Sequence, residues 1–408
     1  MLRGFVFFLL LCMVFTAAWE DVGVVERVTY VRMLGYGAIA LAVCAVAATM
    51  RMRRPPAPLV MLAVYVGWCV LSTAWSPAPE TTLLRCRTYV SLWLFAWMLW
   101  EFAPRLDHQR WVMNAFIAGA AYSTTFLLLS FLRGEVEIGM SYTRFSGGLL
   151  NPNGMAHLGD FAILLAYYQA IRTGSRHRRL RIAYWVFIVI MAFAVLLTGS
   201  RSGFTAMVAS GLLCGWASVR QSRKTFFLLM AAGLCTLTLA IWFVPNALRT
   251  RVVQGTAAGT FQARVEIWEQ GFARWIRTPV LGVGAGAFQT AATGTEFELG
   301  SVAHNTFVSV LTETGLIGFG LYMASLVMLV RHALSMPRTE KYLWLAVLLV
   351  WGLASFGGSE ECSKTTWLVF GLLVAHGAAL RTAGRAQRPA ASVATMPAGW
   401  RAARRPNR

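Results

Sequence analysis

Two arginines and a histidine are the side chains of this chain best suited to chemistry. Arg201 follows Leu197-Thr198-Gly199-Ser200 in a very short break between two apolar runs. That position pins a cation at a membrane boundary, where it costs free energy unless it snorkels or meets an anion. Arg264 lies near the start of a helical segment, Thr260 to Ile276, where free backbone N–H groups also favour an anion. His304 ends the longest hydrophilic stretch, where the chain re-enters an apolar run. A neutral imidazole there can accept a proton near physiological pH. Arginine forks grip phosphate oxygens and stabilise charge growing on a diphosphate leaving group. Together the three suit displacement on a lipid-linked sugar diphosphate. Each also has a plainer reading: a lipid-bound interfacial arginine, a helix resting on the membrane, and a hydrogen-bonded histidine at a helix end.

Further polar residues accompany them. Asn305 follows His304, and Glu313 lies two and a half helical turns deeper, where an ionisable group needs a partner; its role reads as structural. Gly282, Gly284 and Gly286 follow Pro279 and permit a tight turn or close backbone approach. No lysine follows to suggest a nucleotide loop. Asn151-Pro152-Asn153-Gly154 precedes another apolar run that contains His157 and Asp160. Arg85 and Arg87, and Glu360, Glu361 and Lys364, precede two more. These either line a polar cavity or satisfy neighbours.

The elements that must position these residues are membrane helices. Of 408 residues, 57% are hydrophobic and 13% charged, about half the charge a soluble domain carries. The net charge of +20 would suggest nucleic acid in a soluble protein, but the basic residues cluster between apolar runs, which favours the membrane and excludes that partner. Seven cysteines without metal spacing read as buried free thiols, and three aspartates limit metal chemistry. The apolar N-terminus lacks a convincing cleavage site and reads as the first span. At about 20 residues per crossing, the chain holds about twelve spans, centred near residues 12, 40, 66, 95, 122, 163, 190, 211, 235, 318, 349 and 372. With the N-terminus cytoplasmic, 24 of 37 Lys and Arg fall inside, so both termini are expected there. The fold class is therefore an all-α membrane protein. It divides into spans 1–9 (1–244), a large periplasmic loop with short helices (245–305), spans 10–12 (306–380) and a basic, disordered cytoplasmic tail (381–408), held near anionic headgroups.

The arrangement of Arg201, Arg264 with Trp268 four residues on, Pro279 with Gly282-Val283-Gly284, His304-Asn305 and Glu313-Thr314-Gly315-Leu316-Ile317-Gly318 resembles the O-antigen ligase/polymerase family of bacterial membrane glycosyltransferases, closest to its ligases. The resemblance implies a multi-pass inner-membrane enzyme with a periplasmic active site. It implies a metal-independent, cofactor-free inverting transfer of glycan from undecaprenyl diphosphate to a sugar hydroxyl of lipid A-core. Arg201 and Arg264 would then bind the diphosphate, with His304 as catalytic base or acceptor-orienting residue. Asn305, Glu313 and Asn153 would support the site. An O-antigen or exopolysaccharide polymerase is the nearest alternative. A metal-dependent transferase using Glu20 and Asp21, and a transporter or flippase, are more distant ones. A transporter would carry charges near mid-membrane and paired broken helices, whereas here the polar residues gather at one face.

Overall fold

The computed structural model describes residues 1–18, 25–135, 144–145, 150–219, 222–245, 257–288 and 302–386. Among them thirteen α-helices and no strand occur. The first nine are α1 (Leu2–Thr16), α2 (Val25–Thr49), α3 (Ala57–Leu71), α4 (Pro79–Phe102), α5 (Leu106–Arg133), α6 (Pro152–Arg172), α7 (Arg178–Leu197), α8 (Arg201–Val219) and α9 (Arg223–Phe243). They continue with α10 (Ala257–Trp275), α11 (Thr306–Leu334), α12 (Arg338–Ser355) and α13 (Lys364–Ala386).

Every expected span centre falls inside one of these helices, and the amphipathic segment is α10. Among the described residues, eight helices are long and apolar enough to cross a membrane. Of the other four expected spans, α1 has only 15 residues, and α4, α6 and α12 carry ionisable side chains that lower their hydropathy. α6 shows why such residues are tolerated. It packs against α5, α7, α8 and α12; its buried Gln169 donates to Asn114 at 2.8 Å and to the Arg110 carbonyl at 3.0 Å, and buried His157 stands 3.7 Å from buried Asp160. α9 is the opposite case, exposing Phe227, Met230, Leu234, Leu237 and Ile241 in the manner of a lipid-facing helix. The last helix runs on to Ala386, past Arg381 where the basic tail was expected to begin. Alanines 383 and 386 favour that extension. The remaining tail, 387–408, lies outside the described residues.

The helices alternate in direction and sort their polar residues to two ends. At one end Arg3 pairs with buried Glu101, which also accepts the Arg53 N–H at 2.8 Å. Arg53 stacks over Trp100 at 4.0 Å. Buried Glu340 pairs with Arg172 and accepts from the Tyr168 hydroxyl. These contacts tie α1 to α4, and α6 to α12. The opposite end carries Arg201, His304 and their neighbours.

At that end α11 is broken. Gly315 has φ 64° and ψ −171°, which an L side chain rarely adopts, and the break frees backbone groups that need partners. The glycine turn supplies them: Val283 and Gly284 donate to the Thr312 and Glu313 carbonyls at 3.1 and 2.8 Å, and Leu316 donates to Pro279 at 2.9 Å. The approach is so close that a Cβ on Gly282 would sit 2.4 Å from the Gly315 nitrogen. Glu313 closes the joint from the side, its buried carboxylate accepting the Gly286 N–H at 2.7 Å.

Candidate active site

Each of the three proposed chemical side chains is held by a local device. Arg201 is the first residue of α8, behind a turn in which Gly199 has φ 60°. Ser200 caps α8 by accepting the Gly203 N–H at 3.3 Å, and its own N–H meets the Thr198 hydroxyl at 3.2 Å. Arg264 stands one helical turn before Trp268 on α10, so the two share a face. The Trp268 indole donates to the Ala303 carbonyl at 2.8 Å. Ile267 and Trp268 also pack against Phe288, Ala303 and Val308. This lays part of the apolar face of α10 on the protein itself, while Phe272 and Ile276 stay exposed.

That indole bond fixes the residue immediately before His304. On its other side, Asn305 caps α11, its side-chain oxygen accepting from Phe307 and Val308 N–H at 2.9 and 3.2 Å. Thr306 donates to the Gly358 carbonyl at 3.1 Å and accepts the Glu360 N–H at 2.8 Å. Held at both ends, His304 adopts φ 47°, an uncommon backbone state that persists only where its surroundings impose it.

Arg264 feels the Arg201 charge, and His304 feels that of Arg264. Partial burial and the Arg201 charge hold the Arg264 guanidinium below its ordinary pKa. Partial desolvation, then the Arg264 charge, holds the His304 imidazole below its ordinary value. Neutral imidazole is therefore favoured at pH 7. No carboxylate acts on Arg264 among the described residues. Two like charges held together without one favour an anion between them.

His304 also lines a cavity of about 790 Å³; neither Arg201 nor Arg264 does. The wall includes Asn151, Asn153, His157, Arg87, Glu360 and Lys364. Asn151 caps α6 by accepting the Gly154 N–H at 2.8 Å. The Asn153 side chain accepts from Arg144 at 2.8 Å, and Arg144 also donates to the Thr198 carbonyl at 2.9 Å. His157 meets the Ser202 hydroxyl at 3.1 Å. Of the pairs left open by sequence, Arg87, Glu360 and Lys364 line the cavity, whereas Arg85 is turned to the Cys362 thiol.

Arg144, Arg32 and Thr306 are the residues that sequence reading passed over. Arg144 is the strongest omission, since it is buried, lines the cavity and bridges Asn153 to the turn ahead of Arg201. Its only sequence signal is an arginine a few residues ahead of Asn151-Pro152-Asn153. The seven cysteines are all free. Among the described residues no cluster of His, Cys, Asp and Glu has the makings of a metal site; Glu20 and Asp21 lie outside them.

No curated protein matches the chain. Residues 186–323 match the family model described as O-antigen ligase. That third of the chain contains Arg201, Arg264, Trp268, the glycine turn, His304 and Glu313, the residues that the structure ties into one end of the molecule. The match makes this segment similar to the O-antigen ligase family.

Proposed function

We propose that this protein is a ligase-type glycosyltransferase that moves glycan from undecaprenyl diphosphate to a sugar hydroxyl of lipid A-core. In this reading it lies in the bacterial inner membrane with twelve spans, both termini cytoplasmic and Arg201, Arg264 and His304 facing the periplasm. The observation that carries the proposal is the meeting of Arg201, Arg264 and His304, each acting on the charge of the next.

In the proposed reaction the acceptor oxygen attacks the anomeric carbon as the bond to the diphosphate oxygen breaks, and that electron pair leaves with the diphosphate. Arg201 and Arg264 hold the leaving group and stabilise its growing charge. His304, kept neutral by partial desolvation and by Arg264, takes the hydroxyl proton. Trp268 and Asn305 position His304, and Glu313 with the glycine turn braces the start of α11. Asn153 belongs to the same end through Arg144.

Gene deletion followed by analysis of lipid-linked glycans tests the reading. Long chains retained on the carrier are the expected result. Single repeat units on the carrier would make the protein a polymerase of the same family, and unchanged carrier glycans would remove it from both roles.

A further inference from the structure

Arg85 of α4 has no part in the chemistry, yet it stands at the joint that braces α11. On one side it lies against the glycine turn: a Cβ on Gly286 would sit 2.8 Å from the Arg85 Cβ and 3.2 Å from its Nε. On the other side its guanidinium donates to the Cys362 thiol. Cys362 belongs to the turn between α12 and α13 whose Glu360 N–H and Gly358 carbonyl hold Thr306. Two buried carboxylates flank the same place. Glu313 accepts the Gly286 N–H at 2.7 Å, and Glu361 immediately precedes Cys362. The Arg85 charge acts on both. Burial, then the Glu313 charge, pushes Glu361 up to about 7, so Glu361 is only partly ionised at neutral pH. Backbone N–H donors favour the ionised form of Glu313, which makes it the principal charge that Arg85 balances. Neutral bonds fasten the joint as well: the Trp68 indole donates to the Thr314 carbonyl at 2.9 Å, and the Ser72 hydroxyl accepts the Ala285 N–H at 3.0 Å.

We infer that Arg85 is a positioning residue for the proposed transfer: standing between Gly286 and Cys362, it ties the glycine turn to the turn that holds Thr306, and so fixes the start of α11 two residues from His304. Arg85 does not line the cavity, and it acts through these two turns rather than on substrate. Removing one partner from a buried charge pair leaves the other uncompensated. Here the uncompensated group is the carboxylate that grips the glycine turn, so the strain falls on the brace of α11. The inference rests on the proposed transfer reaction and on the part of His304 in it.

A double-mutant cycle of Arg85→Gln and Glu313→Gln in the full-length protein in detergent tests it. The readouts are kcat, donor KM and thermal unfolding. The amide of Glu313→Gln can still accept the Gly286 N–H, so the cycle removes charge and keeps that bond. Arg85→Gln alone is expected to lower kcat about tenfold or more, with donor KM within about twofold of wild type, since Arg201 and Arg264 are untouched. With Glu313→Gln already present, the same change should cost less than about threefold. A kcat for Arg85→Gln within about twofold of wild type overturns the inference, and so do equal losses in the two backgrounds. A raised donor KM at unchanged kcat would assign Arg85 to donor binding and overturns it too. If Arg85→Gln does not fold alone, a folded double variant supports the pairing and an unfolded one overturns it. A wild-type protein that transfers no glycan would sink the ligase reading. The unfolding cycle then decides the tie: a Tm lost with Arg85→Gln and regained with Glu313→Gln upholds it, and additive losses overturn it.

Discussion

Trp268→Phe isolates one hydrogen bond on which the site geometry depends. The indole N–H reaches the Ala303 carbonyl at 2.8 Å, and Ala303 is 2% exposed, so water cannot readily replace the lost donor. Leaving such a carbonyl unsatisfied costs about 1–3 kcal/mol. A phenyl ring keeps most of the contact with Phe288 and Val308, so α10 should stay docked. The cost falls on the peptide before His304, whose φ of 47° already stores about 1 kcal/mol or more of strain. With that peptide free to turn, the imidazole leaves its place beside Arg264. At 1.36 kcal/mol per tenfold, the expected loss is about 5- to 160-fold in kcat. Donor KM should change little, because Arg201 and its turn are untouched. Steady-state transfer by the purified variant, with thermal unfolding as a control for the fold, reads both quantities. Turnover within twofold of wild type would show that the indole bond does not hold His304.

Three further outcomes follow from other parts of the structure. His304→Gln should slow transfer by about 100- to 10,000-fold and lose the acidic limb of the pH profile. In wild type that limb should lie below the ordinary histidine value, because desolvation and Arg264 lower the imidazole pKa. A glutamine variant with wild-type rate and limb would end the general-base role. Gly315→Ala should destabilise the protein by at least about 2 kcal/mol, seen as a lower Tm, since its Cβ would stand 2.3 Å from the Val280 carbonyl at φ 64°; an unchanged Tm would contradict the stitched-break account. In a cysteine-free background, Ala258→Cys should be labelled from the periplasm, as the basic asymmetry requires, and labelling only from the cytoplasm would invert the topology.

Much of this architecture is legible in the sequence because membrane helices announce themselves one at a time. Length and apolarity locate α2, α5, α7, α9 and α11 without knowledge of their neighbours. α6 is harder, since His157 and Asp160 make sense only once the surrounding helices bury them. The glycines before α11 signal a close approach, yet their partner, the break at Gly315, is thirty residues away and fixed only by the fold. Arg201, Arg264 and His304 stand out because each is ionisable beside an apolar run. Arg144 and Arg32 are as cationic but carry no such local mark, and Thr306 resembles any threonine at a helix start. Their roles arise from what lies across the cavity or the adjoining turn, and residue type alone does not encode that.

The most direct test compares donor binding and glycan transfer for purified Arg201→Ala, Arg264→Ala and His304→Ala beside wild type. Undecaprenyl diphosphate affinity reads the anion site, and transfer to acceptor reads the chemistry. Both arginine variants should lose donor affinity and transfer while remaining folded, and lysine at either position should rescue poorly, lacking the planar fork. His304→Ala should bind the donor as wild type does and transfer about 100-fold more slowly or worse. Wild-type transfer by both arginine variants would contradict the account.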